Sequence, residues 1–369
     1  MALTRLTLAD FRNYRAAEIA AGPGLMVLHG DNGTGKTNVL EAISMLAPGR
    51  GLRRAALPDM VRDGTRTGFS IFGEWQAAAD LPPVALGTGV EGSRPGRRLV
   101  RVNGAAAAAS SLSDWLAVLW LTPAMDRLFV EAAGNRRRFV DRLVLALEPG
   151  HAHHSNRYDA ALRARTKLLA DPAGADGRWL DSLEAQIAEH GAAIAAARSR
   201  MMAALGQELA GQPDAPFARP VLTLIDGDGA VKEAPLALAD LQASLRQRRR
   251  IDAATGRATV GSHRDDLSAQ HAATGRAAAR CSTGEQKAML LAIILAHSDC
   301  VARLRGERPL LLLDEVAAHL DPLRRGALYE RLAGQGGQVW LTGTEAGLFA
   351  DIPGQVMRYR VADSQISAA

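Results

Sequence analysis

The string "GDNGTGKT", residues 30 to 37, joins the apolar run "GLMVLH" to the helical pattern "NVLEAISML". Gly30, Gly33 and Gly35 permit positive φ and a close approach of backbone to an anion. Successive N–H groups and the amino end of the following helix then surround a phosphate. Lys36 is spaced to reach β- and γ-phosphates, and the Thr37 hydroxyl to hold Mg²⁺. Gly30, Asp31, Asn32, Gly33, Thr34, Gly35, Lys36 and Thr37 are therefore the expected phosphate-binding residues of a nucleotide site.

A second group of chemically able residues closes the run "RPLLLLDEVAAHLD". Leu310 to Leu313 show no polar alternation, as a strand buried on both faces requires. Asp314 is placed to bind Mg²⁺ through water, and Glu315 to polarise an attacking water as the catalytic base. Asp321 then opens a helix with proline in its first turn. The third group is "CSTGEQKAMLLAIILAH". Ser282–Thr283–Gly284 precedes a long apolar helix with Glu285 in its first turn, which reads as a helix cap. A helix amino end carrying a serine hydroxyl and a small glycine also suits a γ-phosphate. Both readings stand from these residues, and Ser282 and Gly284 are the candidates.

These groups need elements to hold them. Leu25, Val27 and Leu28 predict a buried parallel strand that stops at Gly30, and Val39, Leu40, Ile43 and Leu46 a helix from about Lys36. "TRLTLADFRNY", "TGFSIFGEW", "PVALGTGV" and "RRLVRVNG" read as strands of a mixed or antiparallel sheet. From about residue 125 the pattern turns helical, and strands are rare until about 220. "RWLDSLEAQIAEHGAAIAAARSRMMAALGQEL" spaces Leu180, Leu183, Ile187, Ile194 and Met201 as one long helix. With "NRYDAALRARTKLLAD" before it and "DPAGADG" between, an antiparallel helical arm is expected. After 255 the α/β character returns. The expected fold class is α/β, a P-loop ATPase head split in sequence by a helical arm. Its parts are 1–124 with the phosphate loop and antiparallel sheet, 125–254 as the arm, and 255–369 as the rest of the head.

Composition bounds the function. The chain of 369 residues is long enough for more than one structural unit, and 47% hydrophobic with 22% charged residues exclude a disordered chain. No apolar run approaches a membrane span, and "MALTRLTLADFRNY" lacks the apolar core of a signal peptide. With cysteine confined to Cys281 and Cys300, a reducing cytoplasm is expected. Aromatic residues at 4% disfavour base stacking, and a net charge of +5 is a mild bias toward polyanions. Arg53–Arg54, Arg97–Arg98, Arg136–Arg138 and "LRQRRR" (245–250) are candidate DNA-facing cations. "HAHHS" at 151 reads as a solvated loop, and His263 with Asp265 and Asp266 as either a site or a hydrogen-bonded turn.

The position of "CSTGEQ" about thirty residues before "LLLLDE" resembles the signature of ATP-binding-cassette ATPases. "LTLADFRNY", "GDNGTGKTNVLEAI", "NRRRFVDRL", "YDAALRARTKLL" and "GSHRDDL" together resemble the RecF family of SMC-like DNA-repair ATPases, from residue 3 to 321. The resemblance implies ATP and Mg²⁺ as cofactors and an ATP-dependent homodimer in which Ser282 faces the other copy's nucleotide. It further implies double-stranded, gapped or junction DNA as ligand and RecR as partner, with RecO and RecA reached indirectly. Slow, DNA-stimulated hydrolysis then acts as a switch in recombinational repair, in a cytoplasmic, nucleoid-associated protein without a membrane partner. The chain departs from the cassette pattern at Glu285, where glutamine is usual and Gln286 follows. It also departs at "QVWLTGTE", where Thr342 or Thr344 stands in place of a γ-phosphate-sensing histidine. A transporter ATPase subunit would share the nucleotide motifs but has no use for the helical insert or for "DFRNY".

Overall fold

The opening strand β1 (Ala2–Phe11) buries Leu3, Leu6 and Leu8. A regular strand alternates faces at each residue, so positions 3 and 6 should oppose one another. A register shift between Leu3 and Arg5, in the pairing with residues 68–76, supplies the extra residue that reconciles them. The computed structural model describes residues 1–78, 80–171, 176–232 and 234–369. Along the chain follow β2 (Tyr14–Ala20), β3 (Gly24–His29), α1 (Lys36–Ser44), β4 (Gly68–Gln76), β5 (Val84–Glu91), β6 (Leu99–Val102), β7 (Ala105–Ala106) and β8 (Val118–Leu121). The middle holds α2 (Ala133–Leu147), α3 (His151–Leu169), α4 (Gly177–Ala210), β9 (Pro220–Ile225), α5 (Leu238–Gln247), α6 (Arg249–Thr255) and β10 (Asp266–His271). Then come α7 (Thr283–Arg305), β11 (Leu310–Leu313), α8 (Pro322–Gln335), β12 (Gln338–Gly343), β13 (Val356–Ala362) and β14 (Gln365–Ala368).

Two compact units result. The first comprises Met1–Asp126, Pro213–Ala218 and Ser282–Ala369. Its described strands form an antiparallel sheet in the order β2–β1–β4–β5–β6–β7 and a second sheet in the order β14–β13–β3–β12–β11–β8. The second sheet is parallel except for its edge strand β14. Leu310 to Leu313 are all buried, as the unbroken apolar run requires. One hydrophobic cluster joins both sheets and includes Leu6, Leu8, Met26, Ile43, Leu312 and Trp340. The buried Gln338 amide also links them. It accepts from the Leu3 N–H at 2.9 Å and donates to the Leu3 carbonyl at 2.9 Å and the Gly22 carbonyl at 2.7 Å.

The second unit comprises Arg127–Gln212 and Arg219–Cys281. Antiparallel pairing of β10 with β9 carries residues after 255 into it. Tyr158, Ile187, Ile194, Leu241 and Leu245 form its core. Arg165, wholly buried, donates to Glu184 at 2.9 Å, Asp252 at 2.7 Å and the Leu245 carbonyl at 2.7 Å, tying the helices together. Four residues of the "DPAGADG" connection, 172–175, lie outside the described residues. "HAHHS" is the first turn of α3 and not a loop, because Gly150 serves as its cap and Pro149 precedes the helix. Among the described residues no helix is long and apolar enough to cross a membrane.

Candidate functional site

The phosphate loop leaves β3 at His29 with φ of +149° at Gly30, +83° at Gly33 and +116° at Gly35. A Cβ on Gly30 would lie 2.1 Å from the Val361 carbonyl oxygen, and one on Gly35 would lie 2.5 Å from Asn13 Nδ2 and 2.6 Å from Tyr14 Oη. Gly33 has no such neighbour, so conformation alone requires it. Asp31, Asn32 and Gly33 are exposed, and Thr34 donates to the Asp31 carbonyl at 2.8 Å. Lys36 is buried, and its Nζ donates to the Gly30 carbonyl at 2.7 Å and the Asp31 carbonyl at 2.8 Å. Burial pushes its pKa down, while Glu315, Asp314 and Asp31 oppose the shift. Helix α1 starts at Lys36 with no acidic side chain in its first turn. The amino end therefore keeps its N–H groups and positive field for an anion.

In the sheet, β12 separates β3 from β11, and the carboxyl ends of the three strands carry the remaining chemistry. Thr37 Oγ1 donates to Asp314 Oδ1 at 2.9 Å, and Thr342 Oγ1 donates to the same oxygen at 2.7 Å. The Glu315 N–H donates to Thr342 Oγ1 at 2.9 Å. Burial raises the Asp314 carboxyl pKa, against the pull of the Thr342 and Thr37 hydroxyls. Glu315 stands at φ of +51°, a left-handed conformation unusual for a side chain of its size. The residues fit a hard divalent cation. Thr37 keeps lone pairs while it donates, and Asp314 adds a carboxylate, which are the oxygen donors Mg²⁺ prefers beside phosphates. Among the described residues no cluster of three His, Cys, Asp or Glu forms a self-sufficient metal cage. Such a cation would complete its shell with phosphate oxygens and water.

Two supports escape sequence reasoning. Asn13 Nδ2 donates to the Thr34 carbonyl and to Ser364 Oγ, each at 2.9 Å, and Asn38 Nδ2 donates to Asn13 Oδ1 at 2.6 Å. The string "DFRNY" thus latches the phosphate loop from another strand pair. Thr342 is the second. It is 1% exposed, and its hydroxyl is engaged by Asp314 and Glu315. In the sequence it is visible merely as a threonine near the place of a missing histidine.

Ser282 caps α7. Its Oγ accepts from the Glu285 N–H at 3.3 Å, and Glu285 Oε2 accepts from the Ser282 N–H at 2.7 Å and Oγ at 2.9 Å. That reciprocal capping box occupies Glu285, while Gln286 is buried. Gly284 has open space where a Cβ would stand. One turn on, Lys287 is buried 3.6 Å from Asp126, and burial lowers its pKa against the attraction of Asp126 and Glu315. The structure therefore unites Lys36, Thr37, Asp314 and Glu315, whereas the side-chain bonds of Ser282 close on Glu285.

Several candidate cations bond to groups of the chain itself. Arg53 donates to the buried Glu41 at 2.9 Å. Arg98 donates to Thr88 Oγ1 at 2.8 Å and to the carbonyls of Gly49, Met45 and Ala47, and burial lowers its pKa to about 10. Arg136 forks onto Asp266 at 2.8 and 2.6 Å, and Arg249 onto Glu184 at 2.9 and 2.5 Å. Arg97 and Arg250 are exposed. In "GSHRDDL", His263 Nε2 donates to the Ala258 carbonyl at 2.9 Å and Nδ1 meets the Tyr158 hydroxyl at 2.7 Å. Asp265 accepts from Lys232 at 2.8 Å and Arg198 at 3.2 Å. An internally bonded turn accounts for that string.

A family model, the RecF/RecN/SMC N terminal domain, matches residues 2–367. The DNA replication and repair protein RecF of Rhizobium johnstonii is 44% identical over 386 residues, covering 99% of this chain and 98% of its own. That of Mesorhizobium japonicum is 45% identical over 363 residues, covering 96% and 94%. The chain belongs to the RecF family. A solved structure of the recombination mediator protein RecF–ATP in the RecFOR pathway matches with a TM-score of 0.86 at 23% identity, covering 100% of this chain and 97% of that one. The Smc head bound to the C-winged helix domain of ScpA matches at a TM-score of 0.59 and 16% identity, covering 100% and 97%. At these identities the likeness carries the fold, which is the α/β ABC-type ATPase head expected for a RecF-family chain, interrupted in sequence by helices.

Proposed function

We propose that this chain is an ATP-operated DNA-binding protein of DNA replication and repair, in which ATP closes two copies on gapped or junction DNA and slow hydrolysis reopens them. One observation carries the reading: Thr37, Asp314 and Glu315 converge beside a glycine-rich loop whose lysine is already buried. Relatives named as DNA replication and repair proteins, and a RecF structure named with ATP, support the ligand and the pathway. The unit of Met1–Asp126, Pro213–Ala218 and Ser282–Ala369 serves as the ATPase head in this reading, and that of Arg127–Gln212 and Arg219–Cys281 as the helical arm, so residues 255–281, expected in the head, fall with the arm.

Each residue then has a task. Lys36 exchanges the Gly30 and Asp31 carbonyls for β- and γ-phosphate oxygens, a short movement for a flexible side chain. Mg²⁺, held by Thr37 directly and by Asp314 through water, would neutralise charge on the β- and γ-phosphates. Gly30, Asp31, Asn32, Gly33, Thr34 and Gly35 wrap the phosphates with backbone N–H groups. Glu315 orients the attacking water and takes its proton. Ser282 and Gly284, at the tip of α7, present a helix amino end to the nucleotide of the second copy, so ATP becomes part of a two-fold interface. ADP lacks the γ-phosphate that this tip would bind, and the dimer opens. RecR is the direct partner and RecO and RecA the indirect ones, with cytoplasmic nucleoid DNA as the place of action.

Sedimentation velocity with and without ATP and gapped DNA tests this. Wild type should dimerise with ATP and Mg²⁺, Lys36→Arg should bind nucleotide weakly, and Ser282→Arg should bind ATP yet stay monomeric. ATP-saturated wild type that never pairs would remove the clamp.

A further inference from the structure

We propose that Thr342 is a positioning residue for the metal-binding carboxylate and the water-polarising glutamate, one hydroxyl setting the place of both. This rests on the reading of Asp314 and Glu315 as ATP machinery and adds a residue to it.

Hydrogen-bond directions are forced. A main-chain N–H can only donate, so Thr342 Oγ1 accepts from Glu315 and gives its single proton to Asp314 Oδ1. That oxygen also receives the Thr37 proton, which fixes the carboxylate between two hydroxyls, one from the start of α1 and one from β12. Thr342 itself has little freedom. It pairs in register with Leu28 within β12, is 1% exposed, and has a β-branched side chain with restricted χ1. The next residue, Gly343, is packed so closely that a Cβ would fall 2.6 Å from the Phe349 ring. The sheet therefore decides where this hydroxyl sits. Glu315 needs such a holder because its φ of +51° is disfavoured and would relax without a partner for its N–H. A hydroxyl committed to Asp314 and Glu315 has no proton left to offer a γ-phosphate. Thr342 thus acts through those two residues and not as a phosphate sensor.

The test compares Thr342→Val, which keeps the shape and loses the hydroxyl, with Thr342→Ser, which keeps the hydroxyl. A fluorescent ATP analogue is titrated without metal and then across Mg²⁺ concentrations, and kcat and KM for ATP are measured with gapped DNA. Thr342→Val should bind the analogue without metal as wild type does, yet require several-fold more Mg²⁺ for half-maximal tightening. Its kcat should fall roughly tenfold or more at nearly constant KM, the mark of an interaction used in the transition state. Thr342→Ser should restore both. Wild-type Mg²⁺ dependence and kcat in Thr342→Val would overturn the proposal, as would a Ser variant as impaired as Val. Should Val not fold, Thr342→Ala is read in the same way. If neither folds while Ser is normal, the role is structural and the proposal falls. A wild-type protein with no Mg²⁺-dependent analogue binding would instead remove the ATP reading beneath it.

Discussion

Arg12 forks onto Glu41, with Nη2–Oε1 at 2.8 Å and Nε–Oε2 at 2.9 Å, and the carboxylate is wholly buried in α1. The contact joins the β1–β2 turn to the helix that carries Lys36 and Thr37. Arg12 also donates to the Asp59 carbonyl at 2.7 Å, and Arg53 shares the same carboxylate. Together with the Asn13 latch, the pair sets where the phosphate loop begins its helix.

Breaking this pair leaves a buried charge. Arg12→Ala should cost about 2–3 kcal/mol, below the usual 3–5 for a buried pair because Arg53 still reaches Glu41. Arg12→Lys should recover little, since an ammonium cannot fork onto both oxygens. Urea unfolding monitored by circular dichroism measures both, and an Arg12→Ala protein of wild-type stability would contradict the assignment.

The loop glycines should differ in their tolerance of a side chain. Gly30→Ala places Cβ against the immovable Val361 carbonyl and is expected to abolish nucleotide binding. Gly33→Ala meets only the conformational cost of its positive φ, about 1–2 kcal/mol, and should weaken nucleotide binding by about five- to thirtyfold at most. Isothermal titration of the two variants gives the order directly, and equal losses would contradict it.

Acid stability should depend on His263. Burial, with Arg137 and Arg264 nearby, holds its pKa below the usual histidine value, against the Ala258 carbonyl and Asp265. Protonating Nδ1 would also reverse the Tyr158 bond, turning its hydroxyl from donor to acceptor. Below about pH 6.5 the unfolded chain takes up this proton and the folded chain does not, so stability falls as pH drops through that range. His263→Gln should flatten the stability profile between about pH 7 and 5 by up to about 1.4 kcal/mol per pH unit. His154, lowered by burial and by His190, acts with the same sign and should leave a residual slope. Denaturation midpoints across that range decide the matter.

Adjacent arginines should separate DNA contact from folding. Arg97→Ala removes an exposed cation and should lower DNA affinity a few-fold, with the salt slope less steep by about 0.9 if one phosphate contact is lost. Arg98→Gln should leave that slope intact and cost about 2 kcal/mol of stability, because the Gly49, Met45 and Ala47 carbonyls lose their donor. Fluorescence anisotropy at several salt concentrations distinguishes the two.

The phosphate loop, the buried run before Asp314, the capped helix at Ser282 and the long helix to Ala210 were legible in the residues. Each is a local pattern in which periodicity, glycine or a cap residue acts within a few positions along the chain. The histidine run was misread because a Pro–Gly pair marks a helix start as readily as a loop. Several arginines offered as DNA-facing candidates hold carboxylates or carbonyls of the chain itself, since charge alone does not say which partner lies opposite.

By itself, then, the sequence determined the chemical groups and the elements that bear them: Lys36 and Thr37 at a helix start, Asp314 and Glu315 at a strand end. The tertiary structure alone decided their companions. Thr342, Asn13 and Gln338 act on residues 21 to 351 positions away, through hydrogen bonds that exist only once the strands are ordered β3–β12–β11 and the two sheets share a core. Strand order is set by burial summed over the whole unit, and no window of sequence contains that sum.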